Sequence, residues 1–287
     1  MHSFIRFCIV ALALMAASPV CNAQYFGSFN PNDDLFKYEV KLIDEFIERF
    51  NDDSDSFLRK AYFKEKKPYN LSRGQLLVSL FDLQNTSFTD NDTTLKGFFR
   101  QALDRENPVN LSFNDSDWYA EATAVFANNG KLREIPVFLH IAYNAEEGWA
   151  KWMIAGIGPT GAPVAGKAMA PLPKTKPVDN FIPTSAYVSG FVGLHSVLDT
   201  SLAPDVFFDP ACLNSSAGAA FVADVKAGKL KFQYVKRLQF HFLQIDGWQF
   251  TVAQFDRKVN NSGWLISSIK VAPTDERAAA RNKLLNR

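Results

Sequence analysis

Two strand-like segments carry the side chains best suited to acid–base work. In "WYAEATAVFA", residues 118–127, Glu121 shares strand parity with Tyr119 and Thr123, while Trp118, Ala120 and Ala122 take the other face. A carboxylate beside a phenol on an inward-looking face could act as a general base. On an outward face the same Glu121 is a solvated acid. His140 lies among Phe138, Leu139 and Ile141, and His241 lies between Phe240 and Phe242. Imidazoles titrate near neutral pH and serve either catalysis or packing. His195 and Asp199 are four residues apart, a helical spacing that suits an acid–base pair or a plain surface contact. Trp149, Trp152, Trp248 and Trp264 stand at or within strands, where an indole either stacks on a sugar or other apolar ligand or fills a core.

A second kind of chemistry is suggested by "GIGPTGAPVAGKA", residues 156–168. Gly156, Gly158 and Gly161 spell a dinucleotide fingerprint, and Gly161, Gly166 and Lys167 spell most of a phosphate-binding loop. Both motifs need a helix opening directly on the phosphates. Here Ala168 replaces the metal-binding hydroxyl, and Pro159, Pro163, Pro171 and Pro173 interrupt any helix. The stretch therefore reads as an exit from a sheet, and no nucleotide is expected. Ligand spacings such as H-E-x-x-H are missing, so no metal or other cofactor is expected either.

The first 23 residues have the order of a secretory leader: Arg6, an apolar run from Phe7 to about Ala17, then Ser18-Pro19 and small residues before Gln24. An acylated Cys21 is the lipoprotein alternative, disfavoured by Val20 where a small residue is wanted. The expected product is an exported chain, periplasmic or envelope-associated in a Gram-negative bacterium, or secreted. Beyond the leader no segment is expected to cross a membrane. Removing the leader takes one base and no acid, which leaves 30 basic and 30 acidic residues. Such balance, with no long basic run, argues against a nucleic-acid partner. Cys212 is then the sole cysteine, so no internal disulfide forms, and its setting "FDPACLNSS" reads as a loop thiol.

These residues must be positioned by helices first and strands later. From Asp34 to Phe50 the apolar residues fall at helical spacing, and "SRGQLLVSLFDL" and "TLKGFFRQAL" follow as shorter helices. Three strands at 118–127, 134–143 and 149–157 form a meander about the hairpin turn Asn128–Lys131. After a Pro/Gly-rich excursion at 158–183, "FVGLHSVLD" and "AGAAFVADVKAG" read as helices. A second meander then occupies residues 230–271, with a bulge expected near Ala253, where the alternation slips. The fold class is α+β, with N-terminal helices packed on a strongly curved antiparallel sheet built from two three-strand meanders. Residues 24–287 are expected to form one elaborated domain, with two subdomains, 24–157 and 184–287, as the alternative.

With the helix at 34–50 and the terminal hairpins from Lys231 to Val271, the order of elements resembles the nuclear transport factor two-like, cystatin-like cone fold. "WYAEA", "FIPTS" and "NSGWLI" together resemble uncharacterised exported proteins of Gram-negative bacteria. The cone fold hosts isomerases, dehydratases and members that only bind or assemble, so the fold alone selects none of them. The expectation is a non-enzymatic binding or envelope-assembly protein with a protein or small-molecule partner. The alternatives are a small-molecule enzyme, an isomerase, dehydratase or hydrolase using Glu121, Tyr119, His140, His241 or the His195–Asp199 pair, and a carbohydrate-binding module using exposed tryptophans.

Overall fold

The computed structural model describes residues 39–52, 72–88, 92–166, 168, 181–198, 204–257 and 261–287. The expected leader, Asp199, Lys167 and most of the Pro/Gly-rich excursion lie outside them.

Alternating apolar residues drive both meanders into one sheet. The first comprises β2 (Trp118–Asn128), β3 (Lys131–Asn144) and β4 (Trp149–Ile157); the second comprises β7 (Leu230–Phe242), β8 (Gly247–Phe255) and β9 (Ser262–Ala272). Short strands β1 (Glu39–Val40), β5 (Pro163–Val164) and β6 (Ile182–Pro183) complete it. The order is β1-β9-β8-β7-β2-β3-β4-β6, with β5 beside β3; β1 and β9 are parallel and every other pair is antiparallel. The two meanders therefore meet through their first strands, β2 and β7. Register shifts in β2–β7, β3–β4 and β8–β9 add local bend to a curled, open sheet. The slip expected near Ala253 falls between Thr251 and Val252.

One face of the sheet is buried under helices. Helices α1 (Ile43–Asn51), α2 (Arg73–Ser79) and α3 (Thr93–Ala102) stand over the second meander. Ser72 opens α2 with a reciprocal Ser–Gln capping box, and Asp92 caps α3 through the Thr94 N–H at 2.8 Å. Phe46 and Phe50 of α1 and Phe98 of α3 meet Phe242 and Phe250 at ring separations of 5.8–6.5 Å. Over the first meander lie α4 (Leu194–Val197), α5 (Pro210–Leu213) and α6 (Ser216–Lys226), with Phe221 edge-on to Phe126 at 5.4 Å. Trp118 joins the two halves of this core, 5.2 Å from Trp152 and 5.3 Å from Phe242.

The structure corrects two local expectations. Among the described residues the helix expected over 34–50 begins at Ile43, because Glu39 and Val40 pair with Ser262 and Gly263 as strand β1; residues 34–38 lie outside them. Burial of the β-branched Val40 against an edge strand outweighs the helical spacing of its neighbours. Cys212 is not on a loop: Asp209 caps α5 with Pro210 at its first position, and the thiol is fully buried, which pushes it up to about 11. A last helix, α7 (Arg277–Leu285), crosses the other face of the sheet, where the candidate residues lie.

Candidate functional site

On the face opposite the helical core, alternate residues of adjacent strands form a polar row. Tyr119 of β2 is paired in register with His241 of β7, and His241 with Thr251 of β8. One step along β2, Glu121 faces Phe138 of β3 and Gln239 of β7. Glu121 is only 9% exposed, so its face is neither an open cone interior nor a solvated surface. His241 Nε2 donates to Glu121 Oε2 at 2.7 Å, and the Gln239 amide donates to the same oxygen at 2.7 Å. With the ring proton on Nε2, Nδ1 accepts from the Thr251 hydroxyl at 3.1 Å. Burial would raise the Glu121 carboxyl; the His241 contact, the Gln239 amide and the nearby Arg237 charge outweigh it and hold the group below its ordinary range. Hydroxyl, imidazole and carboxylate thus stand in line, the order that activates a hydroxyl as a nucleophile.

Tyr119 belongs to a second cluster rather than to Glu121. Its ring lies over His140 with centroids 6.4 Å apart and planes 17° apart. His140 Nε2 is 3.2 Å from Asp209 Oδ2, and Asp209 also receives Arg287 at 3.1 Å and the Ala211 N–H at 2.8 Å. The His140 contact first, with the Ala211 N–H and the Arg287 charge, overcomes burial and brings Asp209 down to about 2. Burial pushes the Tyr119 phenol up to about 12, while Arg281 and Arg287 act against it and Asp117 and Asp209 with it.

Helix α7 roofs this second cluster. Leu285, with Leu284 and Ala280, packs on Tyr119, Phe138, Ala155 and Leu243. Arg281 reaches Asp117 at 2.5 Å, Arg277 pairs with Asp246, and Asn286 donates to the Ile157 carbonyl at 3.0 Å. The helix approaches closely because β4 offers Gly156 beneath it: a Cβ there would stand 2.4 Å from the Leu285 carbonyl oxygen. The glycine-rich stretch therefore has a packing role. Gly158 and Gly161 donate to the Pro136 and Glu134 carbonyls at 2.8 Å each, and Pro163–Val164 continue as strand β5 rather than opening a helix. Gly156→Ala is expected to lift α7. Amides of 277–287 should exchange at least tenfold faster while those of β2 and β7 keep their protection, as read by hydrogen exchange with mass spectrometry. Equal acceleration throughout the sheet would contradict this local role.

The remaining candidates are dispersed. His195 sits on α4, with Nδ1 2.9 Å from the Val192 carbonyl and Nε2 3.1 Å from Ser196 Oγ. Trp152, Trp248 and Trp264 are core residues; Trp152 Nε1 donates to the Thr184 carbonyl at 3.0 Å and Trp248 Nε1 to Gln101 at 2.7 Å. Their planes are covered by protein, which removes them as stacking surfaces. Trp149 is 40% exposed at the start of β4, with Lys151 above its ring at 5.4 Å. Sequence reasoning missed Asp209, Asp117, Thr251 and the three arginines of the C-terminal segment. Asp209 was signalled by Asp-Pro at a helix start, and Thr251 by its parity opposite Phe250 and Val252. Among the described residues no group of three or more His, Cys, Asp or Glu side chains could hold a metal, and no helix is long and apolar enough to cross a membrane.

Comparison of the chain with protein-family models, with curated proteins and with solved structures found no match.

Proposed function

We propose that this chain is an exported binding or envelope-assembly protein whose curved sheet is a scaffold, in the manner of the non-catalytic members of the cone fold it resembles. The observation that carries the reading is where aromatic side chains are filled in and where they are left out. A substrate in a cone would occupy the hollow under the helices, and here Trp118, Trp152, Phe240, Phe242 and Phe250 fill that hollow. Of the large exposed apolar side chains among the described residues, most belong to one edge, Tyr143 and Trp149 on the β3–β4 hairpin, Phe181 before β6, and Val188 and Val192 just after it, while Leu42, Tyr234 and Val271 stand apart elsewhere. Apolar surface at a sheet edge favours a protein partner over a small ligand.

The test compares mature protein with a Trp149→Ala, Phe181→Ala variant as bait for a Gram-negative envelope fraction. The expected result is a partner retained by the former and lost by the latter at unchanged circular dichroism. Identical capture by both would count against the edge as the binding surface.

A second reading, a small-molecule hydrolase, rests on the Thr251–His241–Glu121 alignment. Turnover of activated esters abolished by Thr251→Val and by His241→Gln, with folding intact, would favour it over the scaffold.

A further inference from the structure

A single row of residues crosses the six long strands of the sheet. Ile154 pairs with Leu139, Leu139 with Ala120, Ala120 with Phe240, Phe240 with Val252, and Val252 with Ile266. Because β2 and β7 are antiparallel, a two-fold axis between Ala120 and Phe240 exchanges the meanders and carries Ile154 onto Ile266. The residues two before these are Trp152 and Trp264, both buried.

The two ends of the row are finished by the same device. Phe208 forms a parallel bridge to Ile154, and Phe81 forms a parallel bridge to Ile266. The next residue in each case is an aspartate, Asp209 or Asp82, whose N–H donates to the isoleucine carbonyl at 2.9 Å. The isoleucine N–H donates in turn to the residue before the phenylalanine, at 2.8 Å for Phe207 and 2.7 Å for Leu80. Each aspartate side chain accepts the N–H two residues on, from Ala211 at 2.8 Å and Gln84 at 3.1 Å. Each also meets an arginine, Arg287 at 3.1 Å and Arg257 at 2.6 Å. Covering a sheet edge requires only some segment with free donors and acceptors. It does not require the same residue pair, the same strand direction and the same carboxylate turn at both edges.

Chain order supplies the decisive detail. Phe81-Asp82, then α3, then the first meander follow one another; Phe208-Asp209, then the single turn α5 and α6, then the second meander do the same. Yet each Phe-Asp segment bridges the meander of the other half. Reciprocal contacts of this kind, in which i of one part touches j of the other and j touches i, are the mark of a two-fold dimer interface.

We infer that the chain is two copies of one unit, a Phe-Asp segment, a helix and a three-strand meander, folded as an intramolecular dimer whose Phe-Asp segments are exchanged. The copies differ at their first hairpins. β2 and β3 run on past the row and β7 follows them down to Leu230, whereas β7 and β8 turn at 243–246.

The test keeps the whole chain. A site for a sequence-specific protease is inserted after the exposed Ala168, with the uncut protein as the folding control. After cleavage the two pieces should remain one particle of intact mass by light scattering, with a melting temperature that rises with protein concentration, as for a dimer. In the cut protein Asp82→Ala and Asp209→Ala should each lower that temperature, Asp209→Ala the more because it also loses the His140 contact, and together they should separate the pieces at concentrations where either single variant holds. Dissociation of the cut wild type, a melting temperature independent of concentration, or either aspartate variant leaving that temperature unchanged would overturn the inference.

Discussion

Glu121→Ala is expected to lower the unfolding free energy at neutral pH by about 3 kcal/mol, because it strands a buried donor and a half-buried one at about 1–3 kcal/mol each. The donors are His241 Nε2–H and the Gln239 amide, and both now end on one carboxylate oxygen. For a domain of this size, a loss of about 3 kcal/mol lowers the melting temperature by roughly 6–12 °C. Glu121→Gln keeps an acceptor oxygen in place and should cost about half as much. His241→Ala leaves an ionised carboxylate with one amide donor, so the pair should be coupled: the double variant should be less destabilised than the sum of the singles by about 1–3 kcal/mol. Additive losses in urea titrations would show that the two side chains contribute independently.

The pH dependence follows from the direction of the shift. The folded-state Glu121 is depressed, so its contribution is complete above the ordinary carboxyl value of 4.5 and is lost as pH falls through the lower folded value. The share of the gap between wild type and Glu121→Ala that comes from the ionised carboxylate should therefore be complete above 4.5 and shrink as pH falls below it. Asp209 adds a parallel acid-side loss between 3.8 and about 2, common to both proteins and absent from Asp209→Ala. Tyr119 works in the opposite direction. With its phenol raised to about 12, its contribution is present below pH 10 and is lost between 10 and 12.

Much of this arrangement was legible in the residues. The parity of "WYAEATAVFA" put Glu121, Tyr119 and Thr123 on one face, and the alternation in the last hairpins put Phe240, Phe242 and Phe250 on the other. What parity cannot state is which strand stands beside which. Glu121 and His241 are 120 positions apart, and they touch only because the first strands of the two meanders pair; no local pattern encodes that choice. The terminal helix was hidden for a different reason. Its periodicity is weak because it buries little beyond Leu285, and arginines reaching Asp117, Asp209 and Asp246 hold it as much as apolar packing does. The glycines of 156–161 do stand where β4 ends, at Ile157, but their packing role was hidden, because composition reports conformational freedom and not what a missing Cβ makes room for.

Gly263 tests that distinction most sharply, because Gly247 is its natural control. The two have nearly the same backbone, φ +84 and φ +83, so replacing either by Ala carries a similar conformational cost of about 1–2 kcal/mol. Their surroundings differ completely. Nothing lies within 4 Å of a Cβ built on Gly247, whereas one on Gly263 would stand 2.2 Å from the Val40 carbonyl oxygen. An atom cannot occupy that position, so β1 must leave the edge of β9, and burial of Val40, about 1.5–3 kcal/mol for a side chain of that size, goes with it. Gly247→Ala should therefore cost about 1–2 kcal/mol in urea unfolding and leave β1 protected from hydrogen exchange. Gly263→Ala should cost about 3–5 kcal/mol and expose the amides of Val40 and of the start of β9, because only at this one of the two glycines would a Cβ meet the backbone of another strand. If the two substitutions prove equally costly, the positive φ alone explains the requirement for glycine, and the approach of β1 contributes nothing to it.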